Sequence, residues 1–428
     1  MRGFARLLIA VGAAVALLSV PPQEPVVLKA WPRLDASTAR PREISWEDAG
    51  DHVGAVVTVR GKVVRTHKSG KVVHLNFRED WKGTFQAVIF ASAWCDFPAP
   101  PEEHYRGRVV LVTGVVKEYQ GTPEMVVESP EQIRLAGEAP GEPARASGAR
   151  PPVPPRAPGV KVATWNLENF FDGWDDPYRA DEITEPAFVN ERRRQRLADG
   201  IRMLDADVLC LQEIENRFAL EEFVRAYLPD SGYETVLVEG NDGRGIDVAL
   251  LSRLPVESVT SHRHRRFPDA DGQEQRFQRD LLRVRIGAPL HAEVFVVHLK
   301  SQAGDDEADR IRVAEAREAV GILRAEFARD TRWRALVAGD FNEVLGQPTL
   351  NAFLDSRGEG GAGLADACAG TVKPTYNQEP HISRIDYILL TPALAAELAG
   401  GAVHDTLPGV DLKCTSDHYP VTALLLTR

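Results

Sequence analysis

Apolar residues fall in two rhythms along the chain, and the change from one to the other divides it. In the first third they come in short β-branched or aromatic runs separated by turn residues: Val56–Val64, Val72–Phe77, Phe85–Phe90, Val109–Val116 and Glu124–Val127. Such runs predict strands with little helix. Gly61 interrupts the first run, where a bulge would let the strand bend, and Gly121-Thr122-Pro123 is expected to turn the last hairpin. Further on, the runs Val162–Trp165, Val208–Gln212, Val248–Leu251, Val294–Val297, Ala335–Ala338 and Ile385–Leu390 predict strands of a second region. Between them Leu197, Ile201 and Leu204 recur at helical spacing, as do Val313, Ala316, Val320, Leu323 and Phe327. This alternation predicts a layered α/β domain whose helical stripes are core rather than a cofactor box.

The stretch 138–159, EAPGEPARASGARPPVPPRAPG, is too rich in Pro, Gly and Ala to hold a regular element and reads as a semi-rigid linker. It separates a β-rich domain, residues 40–137, from an α/β domain, residues 160–428. From Ile44 to about Leu135 the strand spacing and glycine placement resemble an OB-fold. The resemblance implies a small all-β barrel that could bind single strands, with Arg65, His67, Lys68, Lys71, Phe77, Trp81 and Phe85 as groove candidates. Phe77, Phe85 and Phe90 read equally as core, and the basic residues as a solvated hairpin. At the start, Arg2 and Arg6 precede an apolar run from Leu7 to Leu18, the layout of an export signal over residues 1–22. The run is short for a membrane span, although an uncleaved N-terminal anchor stays open.

Composition narrows the choice. The 428 residues, 43% hydrophobic, suffice for two cores, and a formal net charge of −11 argues against a protein that coats polyanions nonspecifically. Any contact with nucleic acid must be local or metal-assisted. Cys95, Cys210, Cys368 and Cys414 have neither the density of a disulfide scaffold nor a zinc spacing. Cys210 lies in an apolar run and reads as buried, whereas Cys368 and Cys414 lie in loop-like segments and could pair in an oxidising compartment.

Polar residues recur at the ends of the α/β domain's strands: Asn166 after KVATW, Glu213 after VLCLQ, His298 after EVFVV, and Asp340 and Asn342 in VAGDFNE. Asp386 follows in SRIDYILL, and Asp417 and His418 in TSDHYPV. Strand ends on one edge of a sheet converge, so these side chains form one candidate site, held by the rigid sheet beneath. Any one alone is as well explained by a cap or an Asx turn. Taken in order, TWNLEN, LQEIEN, VVHLKSQ, GDFN, RIDY and SDHYPV resemble the endonuclease/exonuclease/phosphatase superfamily across nearly the whole second domain. The resemblance implies a four-layer α/β sandwich shared by nucleases, sphingomyelinases and inositol polyphosphate 5-phosphatases, and fold alone does not choose among them.

Asn166, Glu213 and Asp417 are hard oxygen donors that suit Mg²⁺ or Mn²⁺ better than zinc. By the same resemblance Asp386 would fix the tautomer of His418, which activates water, while Asp340 and Asn342 position water and phosphate. A histidine at 298 sides with the deoxyribonuclease I and sphingomyelinase types and could protonate the leaving oxygen or hydrogen-bond the phosphate. Arg244 and Arg279 could grip phosphate or pair with neighbouring acids. The run His262, Arg263, His264, Arg265, Arg266 could line a nucleic-acid groove or form a solvated loop. These readings point to an exported metal-dependent phosphodiesterase, a nuclease acting on DNA or RNA. A lipid or sugar phosphoesterase is the alternative.

Overall fold

The β-branched runs ahead of the linker become strands because their alternate residues can share one apolar interior. In the computed structural model, which describes residues 41–70, 72–137, 158–172, 191–302, 306–356 and 363–427, these strands are Val56–Lys62, Val72–Asn76, Gln86–Phe90, Val109–Val115 and Thr122–Val126. Short strands at Glu43–Ser45, Arg65–Ser69, Lys117–Tyr119 and Ile133–Leu135 complete one four-stranded and one five-stranded sheet. Val59, Leu75, Phe85, Ile89, Val112 and Met125 fill their common core. The segment 1–22, Lys71 and all of the linker but Pro158 and Gly159 lie outside the described residues.

Two local expectations are corrected. Gly61 is no bulge: Val56–Lys62 pairs with Val109–Val115 without a register shift. A Cβ at Gly61 would sit 2.4 Å from the Phe77 ring and 2.6 Å from Trp46, so the glycine makes room for two aromatics. The hairpin turns at Gln120-Gly121, both with positive φ (49° and 75°), and Thr122 and Pro123 already belong to the strand. That geometry matches the type I′ turn favoured by strand twist.

The second domain has two six-stranded sheets. The first runs Glu234–Leu237, Asp247–Ser252, Val208–Ile214, Val160–Phe170, Val421–Leu425, Leu398–Val403. The second runs Val256–Thr260, Leu282–Ile286, Ala292–His298, Ala335–Asp340, Asp386–Leu390, Ala365–Asp366. Strand alternation sorts the side chains. Val294, Val296, Leu336 and Ala338 pack with Leu209, Leu211 and Val248 of the facing sheet, whereas Phe295, Val297 and Val337 point outward to Val320, Leu323 and Phe327 of the helix Asp306–Arg329. On the first sheet's side the helix Glu191–Leu204 contributes Leu197, Ile201 and Leu204, all buried. No helix among the described residues is long and apolar enough to cross a membrane.

The cysteines pair differently from the expectation. Cys95 of the β domain is bonded to Cys414 of the α/β domain with a Cα separation of 5.6 Å, within the range a disulfide requires. Cys368 and Cys210 are free and buried. Cys368 is buried, its thiol 3.9 Å from Thr422 O of the strand Val421–Leu425.

Gly339 shows how tightly the central strands meet. It has φ of 150°, and a Cβ there would lie 1.9 Å from Val297 O. Gly321, inside the helix Asp306–Arg329, meets nothing within 4 Å. Gly339→Ala is therefore expected to cost about 3 kcal/mol through backbone strain and overpacking, while Gly321→Ala gains up to about 1 kcal/mol from helix propensity. Urea unfolding midpoints of the two variants check this, and equal midpoints would contradict it.

Candidate active site

The site forms where central strands of both sheets end. Asn166 pairs with Gln212 in the ladder, after which the register breaks, and the partner strand shifts between Gln212 and Ile214. Glu168, Asn169 and Glu213 at this break, and Asn342 beyond Asp340, all have left-handed backbone, with φ of 52°, 48°, 62° and 49°. Non-glycine residues are held there at roughly 1–3 kcal/mol each, and such strain gathers at functional sites.

Within this rim the side chains share hydrogen bonds. Asn166 Nδ2 donates to Glu213 Oε1 and to Asp340 Oδ2, both at 3.2 Å, so one amide bridges the two sheets. Asp340 Oδ1 accepts from Asn342 N–H at 2.8 Å, and Asn342 Nδ2 donates to Leu299 O at 3.0 Å. His298 Nε2 and His418 Nε2 stand 3.6 and 3.7 Å from the same Asp340 oxygen. Nδ1 of His418 lies 2.8 Å from Asp386 Oδ2. Asp417 follows the chain into this rim, its N–H on Glu168 Oε2 at 3.1 Å.

Burial sets the electrostatics. Burial and the Asp386 charge push Asp340 up to about 7, against the pull of His418. In His418 burial disfavours the charged ring, yet the carboxylates of Asp386 and Asp340 outweigh it and hold the pKa well above 6.5. His298 goes the other way: burial, with Arg279, His418 and Arg244 nearby, holds it well below 6.5. The two imidazoles are thus pulled in opposite directions, His298 toward its neutral form and His418 toward its protonated form.

Arg279 is buried and ion-paired, its Nε 3.0 Å from Asp242 Oδ2, while the half-exposed Arg244 reaches Asn169 Oδ1 at 3.5 Å. Both belong to the site's surroundings, since both charges act on His298. The basic run makes its own local pairs. Arg265 pairs with Glu318, Arg266 with Glu274 at 2.9 Å, and His262 Nδ1 is taken by Leu281 O at 2.7 Å. In the β domain Phe77 and Phe85 are core, and Lys68 is paired with Glu102 at 3.2 Å. Arg65, His67 and Trp81 line a small cavity of about 50 Å³ with His74, Asn76 and Gln86.

Three residues that the strand-end pattern does not single out hold the site in shape. Arg193 is fully buried and donates to Thr415 O at 2.9 Å, to Glu168 O at 2.7 Å and to Leu167 O, tying both active loops to one helix. Trp165 Nε1 donates to His418 O at 2.9 Å. Glu315 accepts from the N–H of Gln278 at 2.9 Å and Lys300 at 2.8 Å, fixing the segments that carry Arg279 and His298, and burial raises its pKa to about 7.

Residues 163–418 match the Endonuclease/Exonuclease/phosphatase family, and residues 57–133 match an OB-fold nucleic acid binding domain. The chain belongs to the endonuclease/exonuclease/phosphatase family and is a phosphoesterase hydrolase of that class. Similar solved structures include the 3′ phosphatase NExo from Neisseria bound to a product DNA hairpin, at 20% identity over 62% of this chain and 99% of that one, TM-score 0.42. The catalytic domain of human Nocturnin with a bound sulfate anion matches at 17% over 62% and 93%, TM-score 0.43. The beta toxin of Staphylococcus aureus matches at 15% over 62% and 99%, TM-score 0.45. No curated protein matches the chain.

Histidine ring signals of the metal-free protein test the charge assignment. His418 is expected to lose its proton above pH 6.5, because the Asp386 and Asp340 carboxylates outweigh its burial, and His298 below it, because burial, with Arg279, His418 and Arg244 nearby, disfavours its charged form. Asp386→Asn is expected to bring the His418 titration down. A His418 that titrates below 6.5 in the unaltered protein would contradict the assignment.

Proposed function

We propose that this chain is an exported, divalent-metal-dependent phosphodiesterase that hydrolyses nucleic acid. One observation carries the reading: the Asp386–His418 pair and the Asn166–Glu213 pair face each other across Asp340 in a single rim.

The donor set fits a hard cation. Glu213 keeps a partly exposed carboxylate, its neighbour Asn166 is an amide, and no thiolate is among them. Asp340, Asp386 and His418 also bring ligand atoms within 4.8 Å of one another. That trio suits a cation less well, since Asp386 Oδ2 is already bonded to a His418 ring that favours its proton. Glu213, Asn166 and Asp417 would therefore hold Mg²⁺ or Mn²⁺, which supplies charge neutralisation at the phosphate and at the leaving oxygen.

The protein's own groups supply proton transfer and aim. In its neutral form His418, its Nδ1–H held by Asp386, takes the proton of the attacking water at Nε2, and the neighbouring carboxylates strengthen it as a base. The imidazolium that results is the form the two carboxylates favour. Asp340 and Asn342, locked together by the Asn342 N–H bond, orient water and phosphate for in-line attack. His298 lies across Asp340 from His418 and hydrogen-bonds the phosphate or the leaving oxygen. Arg244 and the buried Arg279 bring positive charge to the approach.

Nucleic acid is favoured as substrate because a domain matching the OB-fold nucleic acid binding family precedes the site in the same chain. Export is supported by the charge-then-apolar layout of the first residues and by a partly exposed disulfide, a bond of oxidising compartments.

The full chain should be incubated with plasmid, single-stranded DNA, RNA, sphingomyelin and an inositol phosphate, each with Mg²⁺, Mn²⁺, Ca²⁺ or chelator. Nucleic acid is expected to be cut with Mg²⁺ or Mn²⁺ and spared with chelator. His418→Ala and Glu213→Gln are each expected to lower kcat at least about 100-fold. Hydrolysis of sphingomyelin or the inositol phosphate alone would remove the nuclease reading and leave the phosphoesterase.

A further inference from the structure

The segment that delivers His418 is held residue by residue. Thr415 O accepts from Arg193 at 2.9 Å, Ser416 Oγ donates to Asn166 O at 2.7 Å, and Asp417 N–H meets Glu168 at 3.1 Å. Those partners all belong to the α/β domain. Cys414 differs, because its sulfur is bonded to Cys95 of the OB-fold domain. Its carbonyl accepts from Arg196 Nε at 3.1 Å, and the same guanidinium pairs through Nη1 with Asp96 Oδ1 at 2.7 Å. Arg192 adds a clasp to Asp96 and Glu131. Covalent and ionic links from the OB-fold domain therefore converge on the residue three positions before Asp417. Cys95 is exposed and Cys414 half-buried, so a small dithiol can reach the bond.

We propose that the Cys95–Cys414 disulfide is a positioning element of the active site: through it the OB-fold domain holds the Leu412–His418 segment in register, and catalysis falls when the bond is reduced. This deepens the phosphoesterase reading and rests on it. Reduction takes two electrons and two protons from a dithiol. The S–S bond breaks, two thiols form, and the reductant leaves as its own cyclic disulfide. The segment then remains fixed on its far side by the strand Val421–Leu425 but is freer at its entry. Misplacing a catalytic group by about 1 Å can cost about 100-fold in rate. A loosened segment that still visits the active geometry is expected to lose about tenfold in kcat at nearly constant KM.

The test compares the oxidised chain, the chain reduced with dithiothreitol and then freed of it, the reoxidised chain, and the double variant Cys95→Ser/Cys414→Ser. The probe is bis(p-nitrophenyl) phosphate with Mn²⁺, well below every melting temperature. Amide hydrogen exchange over residues 412–418 is followed in parallel without metal or substrate. The reduced chain and the double variant should both show the tenfold fall in kcat and at least about tenfold faster exchange in that segment, and reoxidation should reverse both in the unaltered chain. Arg192→Ala, which removes the outer clasp and leaves the segment's own bonds, should change neither. Unchanged kcat and exchange after reduction would overturn the proposal and leave the bond a purely stabilising one. If the oxidised chain hydrolyses no phosphoester, the phosphoesterase reading fails, while the exchange data still judge the positioning role. Should the double variant not fold, the reduced chain supplies the same comparison.

Discussion

Two carboxylates, Asp340 and Asp386, are buried beside one imidazole at the end of a sheet. Isolated buried charges of like sign are costly, and the neighbourhood answers in several ways at once. His418 lies 2.8 Å from Asp386 and is driven toward its protonated form, Asp340 is driven toward its neutral form, and Asn166 Nδ2 and the backbone N–H of Asn342 donate to Asp340. Asp386 Oδ1 and His298 Nδ1 remain buried without a hydrogen bond among the described residues.

Holding these groups close requires more than the strands that carry them. Strand ends set Asn166, Glu213, His298, Asp340 and Asp386 on a rigid base, while Asp417 and His418 arrive on a loop. That loop is gripped by Trp165, Arg193 and Arg196, and Cys95 fixes it from outside the domain. Left-handed backbone at Glu168, Asn169, Glu213 and Asn342 shows that the rim is held in place against local preference. The strain is sustained because both sheets, with helices packed on them, form the cores beneath it.

Much of this is legible in the sequence, for a physical reason. Buried strands write themselves as apolar runs, and a polar residue closing such a run is easy to see. Any one of these closing residues could be a cap or an Asx turn, but Asn166, Glu213, His298, Asp340 and Asp386 stand out as a set because several strands end the same way, and the structure brings them together. Edge strands such as Glu234–Leu237, Val256–Thr260 and Leu398–Val403 are half exposed and carry no such run. Arg193 is invisible for another reason: within ERRRQR it reads as a solvated charge, and only the docking of that helix buries it. Tertiary contact also decides the disulfide. Cys95 and Cys414 are 319 residues apart and belong to different domains, so no spacing rule links them. Gly61 reads as a bend because a missing side chain is ambiguous until the Phe77 and Trp46 rings are seen to fill its place.

If the account is right, the rim binds a divalent cation on its Glu213 side, not between Asp386 and His418. Anomalous scattering from a crystal grown with Mn²⁺ locates the ion without reference to any substrate. The account predicts a peak roughly 2.1 Å from a Glu213 carboxylate oxygen, with the Asp386–His418 hydrogen bond intact beside it. A peak seated instead on the Nδ1 of His418, or no peak anywhere in the rim, would contradict it.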